Sequence, residues 1–405
     1  MDSAKPVRFM DKTSPPHIST LILLSGIGAL AMNMFLPSLP AMAEYFGTDY
    51  AVMQLSVPLY LLFSAGLQLI IGPVSDNLGR RNVLLWGLGI FMIASLGCIY
   101  APTTGVFLFF RCMQAIVAVT MVLSRAVVRD MFTQDKAASM IGYVTMGMAL
   151  VPMISPAVGG ILDQAFGWQS TFWAMFAIGG IVFAVTWYDL GETALASGKS
   201  LAQQFGEYPE LLRSPRFWGY SMAAACCSGA FFAYLGGAPF VGSEVFGMEP
   251  AELGLYFGAP AVGYFVGNFI TARTATTVGV NTLVLCGCLA NAVGGSVSML
   301  IFLAGYGSPV TFFGMMTLVG LGNGLCIPNA TAGLLSVRPH LAGTASGLGG
   351  AIMIGGGAGL SILAGSLLST ETGAYPLLWI MLLTAVAGVA SILVVIQRER
   401  KLGIR

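Results

Sequence analysis

Only 9% of this 405-residue chain is charged, so residues able to do chemistry are few. Arg111 and Arg125 fall inside long apolar stretches, where an ionised side chain is costly and tends to face a bundle interior or an aqueous cavity. Amides and phenols interrupt other apolar stretches. A site near the midplane of such a bundle favours Asn33, Tyr60, Arg111, Gln114, Tyr234 and Tyr264 as its lining. That set binds through hydrogen bonds, aromatic faces and one positive charge, and it contains no acid. Glu44, Asp130, Asp163, Asp189, Glu252 and Glu371 all lie at or near the ends of apolar stretches, and Glu44 and Asp130 are the candidates for proton exchange. No Gly-x-x-x-x-Gly-Lys-Ser/Thr loop occurs, so ATP hydrolysis is not supported and the chain is not expected to be an enzyme. The seven cysteines sit in apolar segments without metal-ligand spacing and read as packing, so neither metal nor cofactor is expected. His17 and His340 stand at the entrances of apolar stretches, away from any internal proton relay.

The elements that must position these residues follow from composition. With 56% hydrophobic residues, the chain has more apolar surface than a soluble fold can hide. A spanning helix needs about 20 apolar residues, because the hydrocarbon core is ~30 Å thick and a helix rises ~1.5 Å per residue. About twelve such stretches lie between residues 19 and 396. Lys and Arg cluster at the two termini and in alternate connections. The opposite connections carry only acids, among them Glu44, Asp49, Asp163, Glu244, Glu249 and Glu371. The positive-inside rule then puts both termini in the cytoplasm. Compact loops without a large extramembrane domain suit an inner (plasma) membrane, with lipid as the main partner and no nucleic acid. The longest polar interruption divides the stretches six and six. The expected organisation is an N-terminal tail (1–18), a six-helix bundle (19–189), a cytoplasmic linker (190–215), a second bundle (216–396) and a C-terminal tail (397–405).

Two segments carry motifs. The connection between the second and third stretches reads Gly72-Pro73-Val74-Ser75-Asp76-Asn77-Leu78-Gly79-Arg80-Arg81. There Asp76 can cap a neighbouring helix N-terminus and pair with Arg80, latching helices on the cytoplasmic side. The fifth stretch (137–161) reads Pro152-Met153-Ile154-Ser155-Pro156-Ala157-Val158-Gly159-Gly160. Its prolines Pro152 and Pro156 remove ladder bonds, and its glycines Gly159 and Gly160 permit close helix packing.

The 72–81 connection closely resembles the loop signature of the major facilitator superfamily, and the fifth stretch resembles that superfamily's antiporter motif. With Asn33-Met34-Phe35-Leu36-Pro37, Arg111-Cys112-Met113-Gln114 and Arg125 through Asp130, the N-terminal half resembles the Bcr/CflA branch of drug:proton antiporters. The resemblance implies an all-α membrane protein of twelve helices in two six-helix bundles, an efflux function by alternating access, Gly72, Asp76, Gly79, Arg80 and Arg81 as a cytoplasmic gate, and Arg111 on the cavity side of helix four. It also implies an aspartate where this chain has Asn33. An amide cannot exchange a proton at physiological pH, which leaves a proton-independent facilitator or importer of a metabolite or organic anion as the rival function. An arginine without acids beside it favours neutral or anionic substrates over cations.

Overall fold

The computed structural model describes residues 8–131, 151–193, 209–338 and 342–403, together with Val144 and Met148. Eleven helical segments among them are long and apolar enough to cross a membrane. In the N-terminal half these are built from α1 (Ile18–Asn33), α2 (Leu39–Phe46), α3 (Tyr50–Gln54), α4 (Ser56–Leu78), α5 (Arg80–Ile99), α6 (Thr104–Gln114), α7 (Ala118–Met131) and α9 (Gln169–Asp189). Between the last two lies α8 (Val151–Phe166), the described part of the fifth stretch; it runs five residues beyond the expected end at 161. The C-terminal half comprises α10 (Pro215–Phe240), α11 (Pro250–Tyr256), α12 (Ala259–Val278), α13 (Val280–Leu303), α14 (Pro309–Val337), α15 (Ala342–Leu367) and α16 (Tyr375–Lys401). Residues 194–208 of the expected linker lie outside the described residues.

Local chemistry explains the breaks. The first membrane span is split after Asn33, where Pro37 and Pro40 each lack the N–H a continuous ladder needs, and a 3-10 turn (Leu36–Ser38) joins α1 to α2. A Ser or Thr hydroxyl caps the start of α6 (Thr103), α10 (Ser214) and α14 (Ser308), where four backbone N–H groups would otherwise lack partners. The two halves share a turn that the sequence reading passed over. Gly79 enters α5 at φ 89°, ψ 142°, and Gly279 enters α13 at φ 89°, ψ 149°. Positive φ at corresponding places favours glycine at both and marks the halves as structural repeats.

Small residues set how closely the helices pack. Gly263 and Gly267 of α12 lie against the backbone of α14 at Thr317, Leu321 and Gly324, so that a Cβ at either would collide with main-chain atoms. The acidic connections and the basic connections lie at opposite ends of the bundle, called below the acidic end and the basic end.

Candidate functional site

Arg111 projects from α6 into the interior of the N-terminal half, where it is 1% exposed. Its guanidinium is held between two aromatic faces, 4.1 Å from the Phe35 ring centre and 4.3 Å from that of Tyr60. Phe35 can reach it because the first span is broken just there. Nη2 donates to the Ala31 carbonyl (2.9 Å) and Nη1 to Gln114 Oε1 (2.7 Å), while Nε is buried without a partner. Gln114, one helical turn on, donates to Ser95 Oγ (2.8 Å), which donates to the Phe91 carbonyl (2.8 Å). One cation thus ties α1, α4, α5 and α6 together without an acid.

The six predicted lining residues divide into separate places. Tyr60, Arg111 and Gln114 form that one buried cluster. Asn33, 3% exposed, turns its amide back to donate to the Ala29 carbonyl of its own helix (2.7 Å). Tyr234 belongs to an aromatic core of the C-terminal half, with Phe257 at 4.8 Å and Phe312 and Phe313 beyond, and its hydroxyl is buried without a partner. Tyr264, on α12, is partly exposed. It lies within Coulombic range of Arg125, which α7 presents from the opposite half. Arg125 is exposed where Arg111 is enclosed, although both sit in the apolar span Thr104–Val128. Spacing alone did not separate these two arginines; the aromatic pair beside Arg111 does.

The halves meet in two seams, one at the acidic end and one that starts there and continues along the bundle. On one side α8 crosses α11. Gly160 lies against the Pro250 carbonyl, and Gly254 against the Pro156 carbonyl, each leaving no room for a Cβ. Gly159 is equally close to the Met34 carbonyl, binding α8 to the broken stretch of the first span. The glycine pair of the motif therefore serves two different contacts, one within its half and one across the seam. Pro156 lies inside α8, and its carbonyl faces the other half. Pro152 is half-buried at the start of the same helix. On the other side α3 and α4 run along α15, from Gln54 at the acidic end to Gln68, which lies against Gly350. Gln54, 1% exposed, donates to the Ser361 carbonyl (2.8 Å) and fills the hollows left by Gly365 and Gly236, while the Tyr50 hydroxyl donates to the Gly236 carbonyl (2.9 Å). Outside these seams, a cleft of about 550 Å³ between the halves is lined by Glu44, Asp49, Tyr50, Glu244 and their neighbours.

At the basic end, the predicted gate is held differently. The side chains of Gly72 and Asp76 lie outside the described residues. Arg80 Nε pairs with Asp130 Oδ2 at 3.1 Å, and its Nη1 donates to Ser75 Oγ. The N-terminus of α5 is capped by a residue the sequence reading did not single out: Glu192 accepts from the backbone N–H of Arg80 (2.7 Å) and of Arg81 (3.3 Å). It also fills the space a side chain at Gly79 would need. Arg81 donates to the carbonyls of Leu190 (2.9 Å) and Trp187 (3.0 Å) and lies over the Trp187 ring. In the C-terminal half, Glu399 gathers Arg216 (2.6 Å), Asn281 (2.6 Å) and Tyr220 (3.1 Å).

The helix-end acids stand in four different surroundings. Glu44 is exposed and Asp130 is engaged by Arg80. Asp189, read as a helix-end residue, is fully buried and anchors the N-terminal segment through Met10 N–H (2.7 Å), His17 N–H (2.9 Å) and Thr20 Oγ1 (2.6 Å). Asp163 is 7% exposed; Ser38 Oγ lies beside it, yet neither that oxygen nor Asp163 Oδ2 completes a hydrogen bond.

The sequence profile of the Major Facilitator Superfamily matches residues 21–361. The chain belongs to that superfamily. Among its relatives, the chloramphenicol resistance protein of Pseudomonas aeruginosa is 30% identical over 351 residues, covering 83% of this chain and 82% of its own. The bicyclomycin resistance protein homolog of Haemophilus influenzae is 26% identical over 371 residues, covering 90% and 92%. A solved structure of the peptide transporter POT in complex with sulfate matches with a TM-score of 0.78 at 12% identity, over 95% of this chain and 94% of that one, which establishes the shared fold. The chain is a multi-pass membrane protein of the Bcr/CflA-like branch.

Proposed function

We propose that the protein exports small amphipathic molecules across an inner membrane by alternating access, and that the conformation described above is the state closed to the outside. One observation carries the reading. The halves are bonded face to face at the acidic end, whereas the polar bonds described at the basic end join helices of the same half. Rocking about such a one-sided seal would expose the space between the halves to each side in turn. The positive-inside rule makes the basic end, and with it both termini, cytoplasmic. Drug-resistance names among the relatives support efflux over the facilitator reading.

Arg125 and Tyr264, facing each other from opposite halves, are the residues we assign to substrate contact, with Arg111 bracing the wall behind. A cation there favours neutral or anionic substrates, since a positive drug would meet an uncompensated charge. For proton exchange we assign Asp163, because Asn33 cannot titrate and Asp163 is buried beside the broken first span with no Lys or Arg on α1, α2, α8, α9 or α11. The acids and phenols on those elements are Glu44, Tyr45, Tyr188, Asp189, Glu252 and Tyr256.

The test is chloramphenicol movement in proteoliposomes of the full chain. A proton gradient should drive accumulation, Asp163→Asn should abolish it while sparing counterflow, and Asp163→Glu should retain part of it. Counterflow without any response to the gradient in the wild type would return the function to facilitation. Arg125→Ala should lower transport of an anionic substrate more than that of a cationic one; equal loss would refute the charge preference.

A further inference from the structure

Three of the seven cysteines, scattered in sequence, come together in space. Cys227 on α10, Cys288 on α13 and Cys326 on α14 are each 0% exposed, and their sulfurs all lie within 4.8 Å of one another. Cys227 Sγ is 3.5 Å from Cys288 Sγ, which is 3.9 Å from Cys326 Sγ. Because one thiol comes from each of three helices, ligand spacing along the chain could not reveal the group. Small neighbours surround it: Gly287 lies against Gly322 and Cys326, and Gly388 faces the Cys288 sulfur.

We propose that these three thiols form a binding site for a trivalent thiophilic metalloid, with arsenous acid as the type ligand. Geometry is the first support. Trivalent arsenic carries a lone pair and binds three sulfurs as a pyramid, so a centre about 2.3 Å from each sulfur, the length of a metal–thiolate bond, spaces them roughly 3.5 Å apart. Cys227 and Cys288 already stand at 3.5 Å, and Cys326, 3.9 Å from Cys288, has to move inward by a side-chain adjustment to join them.

Charge is the second support, and it selects among soft ions. α13 and α14 carry no charged residue, and the charged residue of α10, Arg216, sits at its basic-end start, bonded to Glu399. Three thiolates around Cu(I) would leave two negative charges in this apolar core, and around Zn(II) one, with nothing to offset them. Arsenous acid avoids that penalty. In As(OH)3 + 3 RSH → As(SR)3 + 3 H2O, three As–O bonds break and three As–S bonds form. Each thiol proton leaves in a water molecule with a hydroxide, and arsenic stays trivalent. Reactants and products are all neutral, so the exchange needs neither a base nor a counter-ion. The site lies inside the C-terminal half, apart from the Arg125–Tyr264 face, and does not depend on the efflux reading.

The experiment uses the full chain, purified in detergent under a phosphine reductant, mixed with sodium arsenite and passed through gel filtration. One arsenic per chain should remain, with three sulfurs in its first coordination sphere by X-ray absorption. Cys227→Ser, Cys288→Ser and Cys326→Ser should each weaken retention by roughly ten-fold or more, since each removes one of three bonds. Cys112→Ser and Cys286→Ser should leave it unchanged. Should a core variant not fold, the wild type still decides: alkylating the accessible Cys112, Cys226 and Cys286 beforehand, checked by peptide mass spectrometry, should leave one arsenic bound in a three-sulfur sphere. No retained arsenic, a two-sulfur sphere, loss of the arsenic after that alkylation, or undiminished retention in folded core variants would overturn the proposal.

Discussion

The two ends of the molecule use opposite chemistry. At the acidic end the halves are joined by backbone-to-backbone contact, with Gly160 on Pro250 and Gly254 on Pro156, and by one buried amide, Gln54, bonded to Ser361. Charges there stand aside, on the walls of the outer cleft. At the basic end charge dominates. Arg80 with Asp130, Arg81 with the end of α9, and Arg216 with Glu399 all bind helices of their own half. The difference follows from what each joint must do. A seam that opens and closes should not strand a charge when it parts, because an unpaired ion in a dry interface is expensive, whereas glycine faces separate at the cost of dispersion and a few hydrogen bonds. Permanent fastening of each half can use ions freely.

Replacing glycine in the seam should break that arrangement most severely. Gly160→Leu or Gly254→Leu puts a side chain where main-chain carbonyls already touch, so the halves cannot close at the acidic end. Substrate counterflow in proteoliposomes should fall to background. Gly66→Leu, at a position with open space around it, should transport normally. If the seam variants transport as well as Gly66→Leu, the seal is not a working part.

Next in size is a change to the fastening within one half. Arg111→Ala leaves the carbonyl of Ala31 and Oε1 of Gln114 without their donor and opens a gap between the rings of Phe35 and Tyr60. Each orphaned acceptor costs about 1–3 kcal/mol, so thermal unfolding in detergent should shift down clearly. Arg111→Lys should recover little, because a compact ammonium cannot lie flat between two rings while bonding two acceptors. An unchanged melting temperature for both would mean that the cluster is incidental.

The sequence carried the helices and their orientation pattern well, since hydropathy and the alternation of Lys and Arg with acids are summed over many residues. Residue partnerships were harder to read. The motif at Gly159 and Gly160 announced close packing, but two adjacent glycines face opposite neighbours, and only the helix rotation decides which crosses the seam. Arg111 and Arg125 looked alike in an apolar context, and Asp163 looked like any helix-end acid. Each depends on whether a neighbour in another helix closes over it, which the order of residues along one helix does not encode. The turn shared by Gly79 and Gly279 was legible in principle, as a glycine followed by asparagine two or three residues later at the same place in each half.

A smaller effect should sharpen the contrast. Gln54→Ala removes the donor from α3 to the Ser361 carbonyl of α15, leaving the Tyr50 bond in place, and empties the hollows at Gly365 and Gly236. Losing one hydrogen bond costs about 1 kcal/mol, equivalent to roughly a five-fold shift toward the state open at the acidic end. Distances between spin labels on α2 and on the Val241–Val245 turn should report that shift as a larger open population.

The smallest effect is expected at the opposite end. Arg338 pairs with Glu210 at 2.8 Å, but the two side chains are 45% and 48% exposed, so water and salt screen the pair and its loss should change stability by about 0.5 kcal/mol or less. Arg338→Ala should leave the spin-label distances across the acidic end unmoved, because the bond it removes does not cross the seam. A shift as large as that of Gln54→Ala would show that the basic end also governs closure, and the division between sealing by glycine and fastening by charge would have to be abandoned.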